Sequence, residues 1–133
     1  MAAHRLVEHV GEVELELDGA TEPDVFVEAA TAFRELVGGV PAHGRPLRKR
    51  VALVPGDDAR LLADWLDELV YLAEVERFVP LRVPEIDVRD GNLVAVVEGV
   101  RGRPRHLVKG ATLHGLALRR KEDGWHGRVV LDV

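Results

Sequence analysis

Residues 108–133, VKGATLHGLALRRKEDGWHGRVVLDV, predict the hairpin that organises the fold. Two strand-like segments flank the turn at Lys121-Glu122-Asp123-Gly124, where the Asp-Gly pair suits a tight turn because glycine tolerates a positive φ. Side chains of the second strand alternate between two faces, Trp125, Gly127, Val129, Leu131 and Val133 against His126, Arg128, Val130 and Asp132. The Asp132 carboxylate and the Val133 carbonyl are hard oxygen donors of the kind that Ca²⁺ or Mg²⁺ binds. Taken alone, this stretch favours an ordinary exposed edge strand over a metal site.

The composition limits the classes of protein to which this chain can belong. The 133 residues suffice for a single domain (1–133) with a hydrophobic core, and a hydrophobic fraction of 47% argues against disorder. No apolar run approaches the roughly 20 residues of a membrane helix, so we expect no membrane partner. Cysteine and serine are absent, which excludes thiolate metal sites and Ser or Cys nucleophiles. The lack of cysteine and of a hydrophobic signal core favours the cytoplasm. A net charge of −5 argues against general nucleic-acid affinity, although local basic patches could act.

The order of the predicted elements is β-β-α-β-α-β-β-β-β. This order indicates an α+β fold, a mainly antiparallel β-sheet with two helices packed on one face. Thr21 is the expected cap of the first helix, and Asp57 or Asp58 caps the second. Apolar residues recur at helical spacing in both helices, which predicts that each buries one face. Pro80 and Pro84 push the strand after the second helix to an edge or irregular position.

The chemistry-bearing residues point to an acidic site. The usual catalytic signatures are missing, since there is no glycine-rich phosphate loop, nucleophile elbow or zinc-binding helical His pair. If the N-terminal strand lies beside the C-terminal one, Glu12, Asp132 and the Val133 carbonyl can share a cation, with Glu8 or His9 nearby. Paired carboxylates repel one another, so a bound cation or a shared proton is the expected resolution. The acidic N-terminal strand also fits a plain solvated face.

Three segments of the chain match motifs that occur together in one known family. Residues 8–13, EHVGEV, are similar to an opening motif [DE]-H-T-A-D-I. Residues 61–72, LLADWLDELVYL, are similar to LL-x-x-WLNELLYL. Residues 108–114, VKGATLH, with WHGRVVLDV at 125–133, resemble VKA-[VI]-TYH and W-x-x-x-V-V-x-D-[IV]. With these motifs, of which Lys-x-x-Thr-x-His followed by a final Asp-Val is the specific part, the chain resembles the archease family, small activators of the RtcB-type RNA ligase.

The resemblance implies a non-enzymatic activator that promotes guanylylation of the ligase and permits multiple turnover. It implies a divalent metal ion, calcium in the family, held by Glu12, Asp132 and the main chain of Val133. Lys109 matches a lysine that is important for activation, and Thr112 and His114 complete the motif as expected partner contacts. The protein would then interact with GTP and RNA only indirectly, through the ligase.

The sequence departs from the family pattern at two motif positions, and separately it leaves two other functions open. Glu12 stands where the family usually has Asp, one methylene shorter, and Leu113 replaces a Tyr. One alternative is a metal-dependent enzyme, such as a phosphohydrolase, that uses Glu8, Glu12 and Asp132. The other is an RNA-binding module. Its candidate residues are Arg48, Lys49, Arg50, Arg101, Arg103 and Arg105.

Overall fold

The computed structural model describes residues 2–40 and 43–133. Over these residues the chain forms seven strands and two helices in the predicted order. They are β1 (Ala3–His9), β2 (Glu12–Gly19), α1 (Glu22–Leu36), β3 (Arg45–Leu53), α2 (Asp58–Glu74), β4 (Phe78–Arg89), β5 (Asn92–Arg101), β6 (Gly110–Lys121) and β7 (Gly124–Asp132).

Both helices begin at the residues that capping chemistry predicts. The Thr21 hydroxyl accepts a hydrogen bond from the backbone N–H of Asp24 at 3.4 Å, and the Asp24 carboxylate accepts one from the Thr21 N–H at 3.1 Å. This reciprocal pair satisfies two backbone donors that the first turn of a helix leaves unpaired. The Asp57 carboxylate accepts from the N–H of Arg60 at 2.9 Å and so caps α2. The predicted helix starts are therefore confirmed.

The seven strands divide into two antiparallel sheets. Sheet 1 has the strand order β1-β2-β7-β6, and sheet 2 has the order β3-β5-β4. The α+β class and the antiparallel pairing are confirmed, and the single sheet of the prediction is resolved into two. In sheet 2, β4 is an edge strand, and its register shifts on both sides of Arg82, between Pro80 and Glu85. Proline has no N–H for a ladder, which explains both the edge position and the irregular pairing.

The two helices pack against one face of each sheet. The inward side chains of β2, β5 and β7 join the apolar stripes of α1 and α2 in one hydrophobic core. Trp65 of α2 is fully buried there, and its indole N–H donates to the Phe26 carbonyl at 2.9 Å. This bond satisfies the polar atom that burial of a tryptophan would otherwise leave unpaired.

Tight turns close the hairpins at positions where glycine was expected. Gly11 has φ 75° between β1 and β2, and Asp90 and Gly91 have φ 52° and 74° between β4 and β5. A turn with two successive positive φ values matches the right-handed twist of paired strands. No helix in the described part of the chain is long and apolar enough to span a membrane.

Candidate functional site

The register of sheet 1 brings the two predicted metal-ligating carboxylates together. Glu12 of β2 pairs directly with Asp132 of β7, in an antiparallel ladder that runs along the whole of β2. The Val133 N–H donates to the Gly11 carbonyl at 3.0 Å and extends the ladder by one pair. Directly opposed residues in an antiparallel ladder point to the same face. Both carboxylates therefore project from the outer face of sheet 1, away from the helices.

The hydrogen-bond pattern makes this a close pair. Because the backbone bond joins Val133 to Gly11, the next pair, Glu12 with Asp132, is of the non-hydrogen-bonded kind. In such pairs the Cα atoms lie about 4.5 Å apart and the side chains approach most closely. The Asp132 carbonyl turns the other way and accepts from the Lys109 N–H at 2.7 Å. The two residues thus lie directly opposite one another on one face, and backbone hydrogen bonds to both neighbouring strands hold Asp132 in register.

The other acidic side chains of this outer face each have a cationic or ionisable partner. Glu14 is bound by Arg128, Glu16 by Arg5, and Asp18 by His126. Within the described residues, Glu12 and Asp132 have neither an ion pair nor a side-chain hydrogen bond. Opposed like charges in a sheet are destabilising. The pair is therefore the one place on this face where negative charge is concentrated without compensation by a described side chain.

His9 and Glu8 occupy different sides of sheet 1. His9 pairs with Glu12, so the row across the outer face reads His9, Glu12 and Asp132. Glu8 pairs with Val13, whose side chain is buried in the core, and it therefore belongs to the inner face. Of the two residues predicted to lie near the carboxylates, only His9 shares their face of the sheet.

The donor set suits a hard cation. Among the described residues no three His, Cys, Asp or Glu side chains converge on one point. The pair supplies carboxylate oxygens, both acidic side chains are partly exposed to water, and the Val133 carbonyl, the third predicted donor, belongs to the next residue of the chain. Ca²⁺ takes six to eight oxygen ligands in flexible geometry and readily completes its shell with water. The residues present therefore fit calcium, and they lack the convergent His or Cys ligands that a zinc site needs.

The remaining motif residues lie on or beside β6, the strand that pairs with β7. Lys109 is exposed and hydrogen-bonded through its backbone to Asp132, and Gly110 is the residue opposite Asp132. Thr112 pairs with Val130, which places it on the same outer face as the carboxylates. Its hydroxyl accepts from the backbone N–H of His114 at 3.3 Å, and His114 itself is exposed.

A bulge after Thr112 displaces the chain around His114. Residues 113–116 lie between the pairs Thr112–Val130 and Ala117–Arg128, so four residues oppose Val129 alone. Arg128 fastens this bulge, because its guanidinium donates to the Gly115 carbonyl at 2.8 Å as well as to Glu14. Gly115 has φ 69°, and a Cβ there would lie 1.7 Å from Nη1 of Arg128. Sequence reasoning missed the bulge, although a glycine inside a strand pattern is its usual signal.

With this geometry established, comparison with known proteins decides the family. The Archease protein family matches residues 4–133 of the sequence. The chain belongs to the archease family. The resemblance drawn from the motifs is therefore confirmed over nearly the whole length.

Individual archeases are similar along their full length. The archease of Methanosarcina acetivorans is 33% identical over 140 residues, an alignment that covers 98% of this chain and 95% of that protein. The archease of Pyrobaculum neutrophilum is 31% identical over 142 residues, covering 99% and 96%. Lys109, Glu12 and Asp132 thus occupy a chain that matches archeases from end to end.

Two solved structures share the fold. Protein 1598 of Methanobacterium thermoautotrophicum, solved in solution, superimposes with a TM-score of 0.70 at 24% identity and covers 98% of both chains. The crystal structure of a Thermotoga maritima archease, described as a possible chaperone, gives a TM-score of 0.68 at 20% identity and covers 97% of this chain and 96% of that one. At these identities the likeness shows the fold alone.

A second acidic cluster went unnoticed in the sequence because its members were interpreted as helix caps and turn residues. Glu22, Asp57, Asp58 and Asp90 line a cavity of about 420 Å³. Burial raises the pKa of Glu22 to about 7, and the negative charge of Asp58 and a hydrogen bond with it add to the shift. One Glu22 oxygen, Oε2, is buried and has no hydrogen-bond partner among the described residues. The cluster belongs to α1, α2 and the β4–β5 turn, and it shares no residue with the Glu12–Asp132 pair.

Proposed function

We propose that this archease-family protein is an accessory protein that activates an RtcB-type RNA ligase. It promotes guanylylation of the ligase and allows repeated turnover, and it catalyses no reaction itself. The observation that carries the proposal is the uncompensated Glu12–Asp132 pair, set beside Lys109 in a chain of the archease family. The resemblance of the motifs to those of known ligase activators supports the choice of partner.

The acidic pair is the proposed site of a divalent cation, with calcium the expected ion. Glu12, Asp132 and the Val133 carbonyl would hold it, and their oxygen chemistry agrees with that choice. When bound, a divalent cation supplies positive charge that stabilises anionic phosphate oxygens. The chain's own part is to keep the two carboxylates at a fixed separation, through the backbone bonds from Lys109 and Val133.

The neighbouring motif residues are proposed to contact the ligase. Lys109, beside the pair, and His114, in the bulge of the neighbouring strand β6, are both exposed, so they are accessible to a partner protein. Arg128 holds the bulge that carries His114, which limits the freedom of this segment before binding. Preorganised contacts cost less conformational entropy when a complex forms. The acidic pair, Lys109 and the bulge together would form the surface that reaches the ligase.

The test is guanylylation of the cognate ligase with GTP and Mn²⁺, in the presence and absence of this protein. The informative variant is Asp132→Asn, which removes one charge of the pair and leaves its backbone hydrogen bond in place. The matched control is Asp18→Asn, because Asp18 lies on the same face but is paired with His126. We expect acceleration by the wild type and by Asp18→Asn, and little or none by Asp132→Asn.

Other outcomes separate the parts of the proposal. Equal acceleration by all three proteins would keep the activator role and reject the acidic pair as its basis. No acceleration by the wild type would reject the activator role. Metal-dependent phosphate release by the isolated protein would instead favour the enzyme alternative.

A further inference from the structure

Four exposed arginines surround a set of adjoining hollows at one end of the molecule. We call this surface the arginine cleft and define it by Arg77, Arg101, Arg103 and Arg105. The hollows have volumes of about 330, 410 and 630 Å³. Arg103 lines all three, and each of the other arginines lines two. The surface is therefore concave, and its charges converge on a shared space.

Backbone hydrogen bonds fix the cleft where the C-terminal ends of both helices meet the β5–β6 loop. The Gly102 N–H donates to the Arg77 carbonyl at 2.7 Å, just beyond the end of α2. The Arg105 N–H donates to the Val37 carbonyl at 2.8 Å, at the C-cap of α1. The segment that carries the arginines is thus anchored to both helices.

Six of the other eleven arginines of the chain have acidic partners, whereas the four of the arginine cleft have none among the described residues. The six are paired as follows: Arg5 with Glu16, Arg48 and Arg82 with Glu98, Arg60 with Asp64, Arg89 with Asp87, and Arg128 with Glu14. In addition, Arg45 of β3 directly opposes Arg101 of β5. Opposed like charges destabilise a sheet, so this arrangement is unfavourable in the absence of an anion.

The surroundings offset only part of this positive charge. Each helix C-terminus carries about half a negative charge, so the two together contribute about one. The cleft also contains Glu74 and Glu76, but Glu76 already accepts from Lys49 at 2.6 Å. Four guanidinium groups therefore outweigh the negative charge around them. The surface remains positive although the whole chain has a net charge of −5.

We propose that the arginine cleft binds the phosphodiester backbone of RNA. Guanidinium groups present paired N–H donors that match phosphate oxygens, which makes arginine the preferred residue for this contact. The described lining residues include no Phe, Tyr or Trp on which bases could stack. The recognition is therefore of the backbone, without regard to base sequence. The choice of RNA rests on the proposed ligase partner, whereas the recognition of phosphate rests on the arginines alone.

Fluorescence anisotropy with a labelled 20-nucleotide single-stranded RNA of mixed sequence tests this proposal. Four phosphate contacts predict a slope of log K against log salt of about −3. The double variant Arg103→Gln/Arg105→Gln should halve that slope and raise the Kd about ten- to sixty-fold at 50 mM salt. The matched control is Arg119→Gln/Arg120→Gln, which removes the same charge from exposed positions on β6. It should bind RNA as the wild type does.

The outcomes that overturn the proposal are distinct. Absence of RNA binding at 50 mM salt would reject it, and so would equal weakening by the two double variants, because binding would then depend on net charge. If polyglutamate displaces the RNA when both are present at the same concentration of negative charge, the cleft instead binds an acidic protein segment. The assay contains no ligase, so its failure leaves the guanylylation test of the proposed function unaffected.

Discussion

Replacing Asp132 by Asn should change stability in opposite directions in the absence and presence of calcium. In the metal-free protein, Glu12 and Asp132 are opposed carboxylates in a non-hydrogen-bonded pair. Directly opposed like charges in a sheet cost about 0.2–1 kcal/mol. Asn keeps the shape of the side chain and the backbone bond to Lys109 while it removes that repulsion. The metal-free variant should therefore be more stable by about that amount, a rise in Tm of about 1–5 °C.

Calcium should reverse the order of the two proteins. A ligand that binds only the folded state stabilises it by about 2.7 kcal/mol at a concentration 100-fold above its Kd. Wild type should gain this amount at such a calcium concentration, whereas Asp132→Asn, with one carboxylate left, should gain far less. The net difference is about 2 kcal/mol in favour of the wild type.

The assay is thermal unfolding followed by circular dichroism, first in EDTA and then with calcium at 100 times the Kd found by calorimetric titration. Asp18→Asn serves as the control, because Asp18 is paired with His126 and its loss should leave the calcium response intact. A metal-free variant that is less stable than wild type would refute the argument from repulsion. An equal calcium response in Asp132→Asn and wild type would refute the site.

Two further predictions concern the core and the second acidic cluster. The pKa of Glu22, raised from 4.5 to about 7, means that the folded state binds the proton more tightly, so stability is lost as the pH rises from about 4.5 to 7. Glu22→Gln should remove that loss of stability. In urea unfolding its free energy of unfolding should rise relative to that of the wild type by about 1–2 kcal/mol between pH 4.5 and 8, after allowance for solvent screening. If the difference in free energy between the two proteins were constant across this range, the raised pKa would be contradicted. Trp65→Phe keeps a buried ring but removes the donor to the Phe26 carbonyl, and it should lower the free energy of unfolding by about 1–3 kcal/mol in the same assay. An unchanged urea midpoint would show that this bond contributes nothing.

Much of the local structure could be predicted from the sequence, because the signals are local. Thr21 and Asp57 cap their helices as expected, since a cap depends on a side chain and a backbone N–H three residues apart. The edge position of β4 also follows from its prolines. The bulge after Thr112 is signalled in the sequence only by Gly115, and its position and extent depend on Arg128 of the neighbouring strand, which reaches that residue.

The candidate site was likewise predictable only in part from the sequence. The sequence contains the two acidic residues, Glu12 and Asp132, and the strand alternation that directs each of them outward. It also identifies the family. The sequence motif could not distinguish Glu8 from His9, because the register between β1 and β2 decides which of them shares the face of Glu12. A shift of one residue would exchange the two faces.

The sequence by itself therefore determined the helices, the turns and the alternation of the strands, since each depends on residues close together in the chain. It also determined the membership in the archease family, because the identity of the motif residues can be recognised without their positions in space. Only the tertiary structure decided that β2 lies beside β7, that the strands form two sheets, and that four arginines converge at the helix C-termini. These features join residues distant in sequence. They are settled by which apolar faces can be buried together, a property of the whole chain and not of any one segment.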